Sequence, residues 1–263
     1  MIIGPSPSTW SRHFGHGRPR LRYTRAPIAE AVIDLQVGFP AEPSLVALER
    51  FGRSLESDYP TLHPMNAVQL SMKFDEGPIS ETSRTSTAIG YRLTNARGDR
   101  VVQIRRNGIS FSHMAPYGDW ESFSSDARGL FTQYTSELKP SRVQRLAVRY
   151  INRLELPARV DLAHYFTLTP KIPDFCAEVE GYFLQLVLPQ KDIRGESKVI
   201  VNTGLEGATS EGAIVTLLDI DVFTALDWSW DEEQVWGLYQ DLRNRKNDVF
   251  ESIITDQVRS LIK

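Results

Sequence analysis

The chain predicts an α+β fold: two tandem antiparallel sheets, each covered by a long helix. Three observations carry this expectation. The C-terminal stretch from Glu232 onward places Val235, Leu238, Tyr239, Leu242, Val249, Phe250, Ile253, Ile254, Val258, Leu261 and Ile262 at helical three-and-four spacing. Asp231, Glu232 and Glu233 precede it and Arg259 and Lys263 close it, as a helix dipole favours, and a helix of that length would run roughly 45 Å. Several segments alternate apolar and polar residues with strand period, and the order strand, helix, strands, helix occurs twice.

Taken in order, residues 1–25 form a separate zone, punctuated by Pro and Gly, with Arg12, Arg18, Arg20, Arg22 and Arg25 and no acid before Glu30. A basic flexible arm is expected there. The first half, 26–140, opens with the alternating strand AVIDLQVGF, followed by a helix between Pro43 and Pro60. AVQLSMKF, TAIGYRL, RVVQIRR and GISFSHMAPY follow as strands, with turns at Glu76-Gly77-Pro78, at Asn95 through Asp99 and, as a tight hairpin, at Asn107-Gly108. A second helix, N-capped by Asp119 and stopped by Pro140, carries Phe123, Leu130, Phe131, Tyr134 and Leu138.

The second half, 141–263, restarts with RLAVRYINRLEL, whose Leu146, Val148, Tyr150, Leu154 and Leu156 share one face. A short helical segment at Asp161 and three strands, GYFLQLVLPQ, SKVIVNTGL and AIVTLLDIDVF, lead to the final helix. No residues match between the halves, so the expected internal duplication is one of pattern. The element order resembles duplicated helix-grip and TATA-binding-protein-like arrangements, which implies a sheet face opposite the helices open to a ligand.

PIAEAVIDLQVGF, RLAVRYINRLELP and NDVFESIITDQVRSLIK together resemble an uncharacterised, sporadically distributed prokaryotic family of about this length. That resemblance covers the chain from Tyr23 onward. It implies no activity or ligand, and its patchy distribution is compatible with mobile or defence-associated genes.

Composition narrows the classes. A net charge of −3 argues against a wholly basic nucleic-acid coat, while one cysteine, Cys176, excludes an internal disulfide and fits a reducing cytosol. No apolar run approaches the ~20 residues that span a bilayer, so a cytoplasmic protein without membrane contact is expected. No phosphate loop or nucleophile elbow occurs, and His13, His16, His63, His113 and His164 lack metal spacing. No cofactor is expected.

Candidate ligand contacts are Arg149, Asn152 and Arg153 in RYINR, extended by Arg105 and Arg106; they would meet phosphates, or else form cross-strand ion pairs with Glu30, Asp34 or Asp219. Asp219 and Asp221 point to one strand face and define an alternative metal-dependent nuclease or phosphohydrolase site, or a solvated strand face. Trp228, Trp230 and Trp236 would stack a base, anchor a partner, or fill the sheet–helix junction. The leading expectation is a non-enzymatic interaction protein with a protein partner; nucleic-acid binding through the arm and the arginines is the alternative.

Overall fold

The computed structural model describes residues 22–73, 81–158, 161–171, 173, 175 and 179–263. In chain order, β1 (Ile28–Gly38), α1 (Leu45–Ser54), β2 (Thr61–Lys73), β3 (Glu81–Thr94), β4 (Arg100–Arg105), β5 (Gly108–Met114) and α2 (Trp120–Leu138) come first. They are followed by β6 (Arg142–Leu156), a 3₁₀ turn (Leu162–His164), β7 (Phe183–Gln190), β8 (Glu196–Ala208), β9 (Ile214–Trp228), α3 (Glu232–Ile253) and α4 (Asp256–Leu261). The α+β class holds. The arm through Arg20, the turn at Glu76-Gly77-Pro78 and Cys176 lie outside the described residues.

The nine strands form one sheet, ordered β2-β3-β4-β5-β1-β6-β9-β8-β7, in place of the two expected. The reason is the edge that each half would leave bare on its leading strand. β1 turns one edge to β5 and the other to β6, pairing antiparallel from Ile28↔Asn152 to Gly38↔Arg142. The pairing satisfies backbone groups that separate sheets would expose.

Strand alternation sorts the two faces. Ala31, Ile33, Leu35 and Val37 of β1, Leu146, Val148 and Tyr150 of β6, and Leu218, Ile220 and Val222 of β9 are buried beneath the helices. Ser44, Asp119 and Asp231 cap α1, α2 and α3 by accepting hydrogen bonds from Ala47 N (3.2 Å), Ser122 N (2.8 Å) and Gln234 N (3.0 Å). Gly52 lets α1 lie against the sheet, since a Cβ there would come within 2.6 Å of Leu62. Tyr239 of α3 donates to the Asp34 carbonyl at 2.9 Å, fixing that helix over β1.

The hairpin expected at Asn107-Gly108 turns one residue earlier, over Arg106 and Asn107. Gly108 instead begins β5 at φ 157, where a Cβ would come within 2.1 Å of the Leu35 carbonyl oxygen.

The single C-terminal helix breaks in two. Ile254 is extended (φ −84, ψ 147) and bridges Phe166, while Thr255 N donates to Tyr165 O at 3.0 Å and Thr167 N to Ile253 O at 2.8 Å. The 165–167 segment therefore takes the backbone groups that would have continued the helix. The first described residues are tied here too: Tyr23 Oη donates to Glu251 at 2.8 Å and Arg25 N to Ile262 O at 3.1 Å.

One core position breaks the apolar pattern of α3. Lys246 falls on the buried stripe between Leu242 and Phe250, is 8% exposed, and sets its ammonium 3.8 Å from the centre of the Tyr150 ring. Among the described residues no carboxylate pairs with it. Burial, reinforced by Arg243 and opposed by Glu251, lowers its pKa from 10.5 to about 7. The unfolded lysine keeps the ordinary value, so the penalty is full below about pH 7 and fades as pH rises towards 10.5. Lys246→Met is expected to raise the unfolding free energy by on the order of 2–4 kcal/mol at or below neutrality, with a smaller gain near pH ~9, as urea titrations of both proteins at each pH would measure.

Candidate functional site

The face opposite the helices carries Asp34 of β1, Arg105 of β4, Arg145 and Arg149 of β6, Asn202 of β8, and Asp219 and Asp221 of β9. Each sits out of phase with the buried positions of its strand. Arg149 lies opposite Asp221 and Ile151 opposite Asp219, so the long guanidinium arms reach carboxylates along diagonals as well as directly across.

Two connected sets result. In the first, Arg105 reaches past β5 to the Asp34 carboxylate, Arg145 donates to Asp34 at 3.2 Å, and Arg145 also donates to Asp221 at 3.0 Å. In the second, Arg149 grips Asp219 through Nε and Nη2, both at 2.8 Å, while Asn202 Nδ2 donates to the same carboxylate at 2.9 Å. The Arg145 guanidinium also stacks 4.4 Å from the Phe223 ring centre.

The sets differ in how completely they are satisfied. Donation to Asp219 raises the Arg149 pKa, and the Arg149 side chain stays 46% exposed while that of Asp219 is 11% exposed. Asp221 Oδ1 is buried with no hydrogen-bond partner among the described residues. Burial, helped by the neighbouring Asp219 and Asp34, pushes the Asp221 carboxyl above the ordinary carboxylate range despite Arg145 and Arg149.

The other candidate residues are dispersed. Arg153 lies on the same face but pairs with Glu155 at 2.6 Å and Glu206 at 3.1 Å. Arg106 sits at the β4–β5 turn, 3.5 Å from Glu42. Asn152 belongs to the helix-covered face, is buried, and donates to the Leu218 carbonyl at 2.9 Å. Trp236 packs on Tyr239 (4.9 Å) and Phe131 (6.1 Å) at the sheet–helix junction, and Trp228 lies under Arg194 at 4.1 Å. Among the described residues no three His, Cys, Asp or Glu side chains converge as metal ligands. Asp219 and Asp221 are held by guanidiniums, and a hard cation would have to displace them. His13 and His16 fall outside the described residues.

Two side chains central to the structure were absent from the candidate set. Arg145 bridges Asp34 and Asp221, and its alternation with Ala147 and Arg149 was the available signal. Lys246 interrupts a helical apolar stripe, which is visible in the spacing of Leu242, Lys246 and Phe250.

No known family model matches the chain, and no curated protein matches it either. Among the described residues no helix is long and apolar enough to cross a membrane.

Asp219 and Asp221 should respond unequally to neutralisation. Asp219→Ala removes the acceptor of three hydrogen bonds and is expected to cost about 2–3 kcal/mol of unfolding free energy. Asp221→Asn is expected to cost less than Asp219→Ala at neutral pH. Because its folded pKa is raised, the stability linked to protonated Asp221 is present at acid pH and is lost as pH rises through that folded value. Wild type should therefore gain on Asp221→Asn as the solution is acidified, a trend read from paired thermal melts across the acid range.

Proposed function

We propose that the protein is a non-enzymatic, cytoplasmic interaction protein that presents its helix-free sheet face to a protein partner. The observation that carries this reading is the one-sided placement of the helices over an antiparallel sheet whose other face pairs its central arginines with aspartates. Each arginine of the candidate set on that face has a carboxylate, and Arg105 and Arg149, together with Arg145, bind theirs in a half-buried layer. A phosphate backbone gains its affinity from cations free to replace counterions, and at Arg105, Arg145 and Arg149 a phosphate would compete with a bound aspartate. A protein surface can instead cover the half-buried Ile151, Ile200 and Phe223 and use the exposed flank of Arg149 as a polar contact.

The strand order also supports a duplicated origin, with halves at 26–140 and 141–263. β1 and β6 lead the halves and meet at the centre. β5 and β9, the last strand of each half, flank them, then β4 and β8, then β3 and β7. The helix-grip or TATA-binding-protein-like comparison is one of arrangement and brings no ligand with it.

The test is affinity isolation of the full-length protein from its native cells, before and after a nuclease wash, beside an Arg149→Ala/Arg153→Ala variant whose thermal melt shows that it folds. The expected result is a protein that survives the wash with wild type and is depleted with the variant. A nuclease-sensitive nucleic acid lost with the variant would replace this reading by nucleic-acid binding. Turnover of a phosphoester that Asp219→Ala abolishes in a folded protein would replace it by the metal-dependent enzyme.

A further inference from the structure

The edge strand β7 is unlike the rest of the sheet. Its eight residues, FLQLVLPQ, contain no charge, and among the described residues its only hydrogen-bonded neighbour is β8. Free edges are ordinarily protected by charged side chains, prolines, bulges or short length. Here Pro189 is the one such device, and it stands next to the strand's end.

The helix-free face of β7 is bare, and its other face is only partly covered, with Leu184 and Leu186 half-buried. Phe183 (72% exposed) and Val187 (50%) project on the helix-free face, opposite Gly204 and Ile200 of β8, and Leu188 (40%) projects on the other. The first half covers its outer strands with α1, where Phe51 and Leu48 are buried. At the corresponding place, between β6 and β7, the second half has only a 3₁₀ turn as regular structure among the described residues.

We infer that β7 pairs antiparallel with β7 of a second copy of this chain, joining two sheets edge to edge across a two-fold axis. A docked helix would cover one face of β7 and leave the other wet, whereas an added strand alternates its side chains onto both. Self-pairing opposes no like charges in any register, because Phe183–Gln190 holds none. A two-fold pair consumes both edges and closes, so the same surface does not propagate into a filament. An eight-residue strand spans about 27 Å, and covering its edge and both faces removes on the order of 1,000 Å² in total, near the lower bound for a specific interface. The dimer is accordingly reversible in the micromolar range. This inference is independent of what the helix-free face binds.

Sedimentation equilibrium of the full chain, with hydrogen exchange along β7, tests it. Wild type is expected to be a monomer–dimer mixture whose β7 amides lose protection on dilution. Val187→Lys and Phe183→Lys, both at positions exposed in the monomer and so compatible with folding, are expected to weaken association by about tenfold or more. Val46→Lys, on the exposed side of α1, should leave it unchanged. A wild type that stays monomeric at high micromolar concentration overturns the proposal and leaves the edge to a different protein's strand. A dimer indifferent to both lysine variants overturns it by placing the interface elsewhere.

Discussion

The structure depends on the antiparallel pairing of β1 with β6. Each strand is apolar on one face and charged on the other, and each brings a free edge to the centre. Their union sets the register of everything outward. It aligns the buried rows of Ile33, Leu35, Leu146 and Val148 into a floor on which α2 and α3 rest, and the opposite parity necessarily places Asp34, Arg145 and Arg149 together on the reverse side. A slip of one residue would exchange the two sets, burying guanidiniums under the helices, so the register is strongly specified.

The charged side contributes to the same specification. Asp34 accepts from arginines on β4 and β6, and Arg145 ties Asp34 to Asp221 on β9, so strands from both halves share one network. Pairs this far from bulk water gain strength from a lower local dielectric but bear a desolvation cost, which surfaces at Asp221 as a raised pKa and an oxygen with no partner among the described residues. Lys246 is the corresponding cost on the helix side, with an aromatic ring for a neighbour in place of an acid. Both are polar groups whose burial tertiary packing imposes.

Local patterns were legible in the sequence and long-range ones were not. Alternation placed the central strands, and Asp119 before a periodic apolar run announced the start of α2. The cross-strand ion pairs weighed for Arg149 and Asp219 formed, since both residues sit at open-face parity on neighbouring strands. By the same parity Asn152 belongs with Tyr150 and Leu154, so its burial was readable and passed over. The merger into one sheet depends on which edges meet across more than a hundred residues, which periodicity does not encode. The break at Ile254 was hidden because its cause, the 165–167 segment, lies far away in sequence while the apolar spacing continues through it.

If β1–β6 pairing is the structural centre, the two halves must open as one unit. Native-state hydrogen exchange across a series of low denaturant concentrations measures this directly. The account predicts that the amides of residues 31–36 and 146–154 exchange slowest and only through global unfolding, with β5 and β9 close behind and β7 opening first. Exchange in two separate steps, with β1 and β6 losing protection before β5 or β9, would contradict it and leave two independently stable halves in contact.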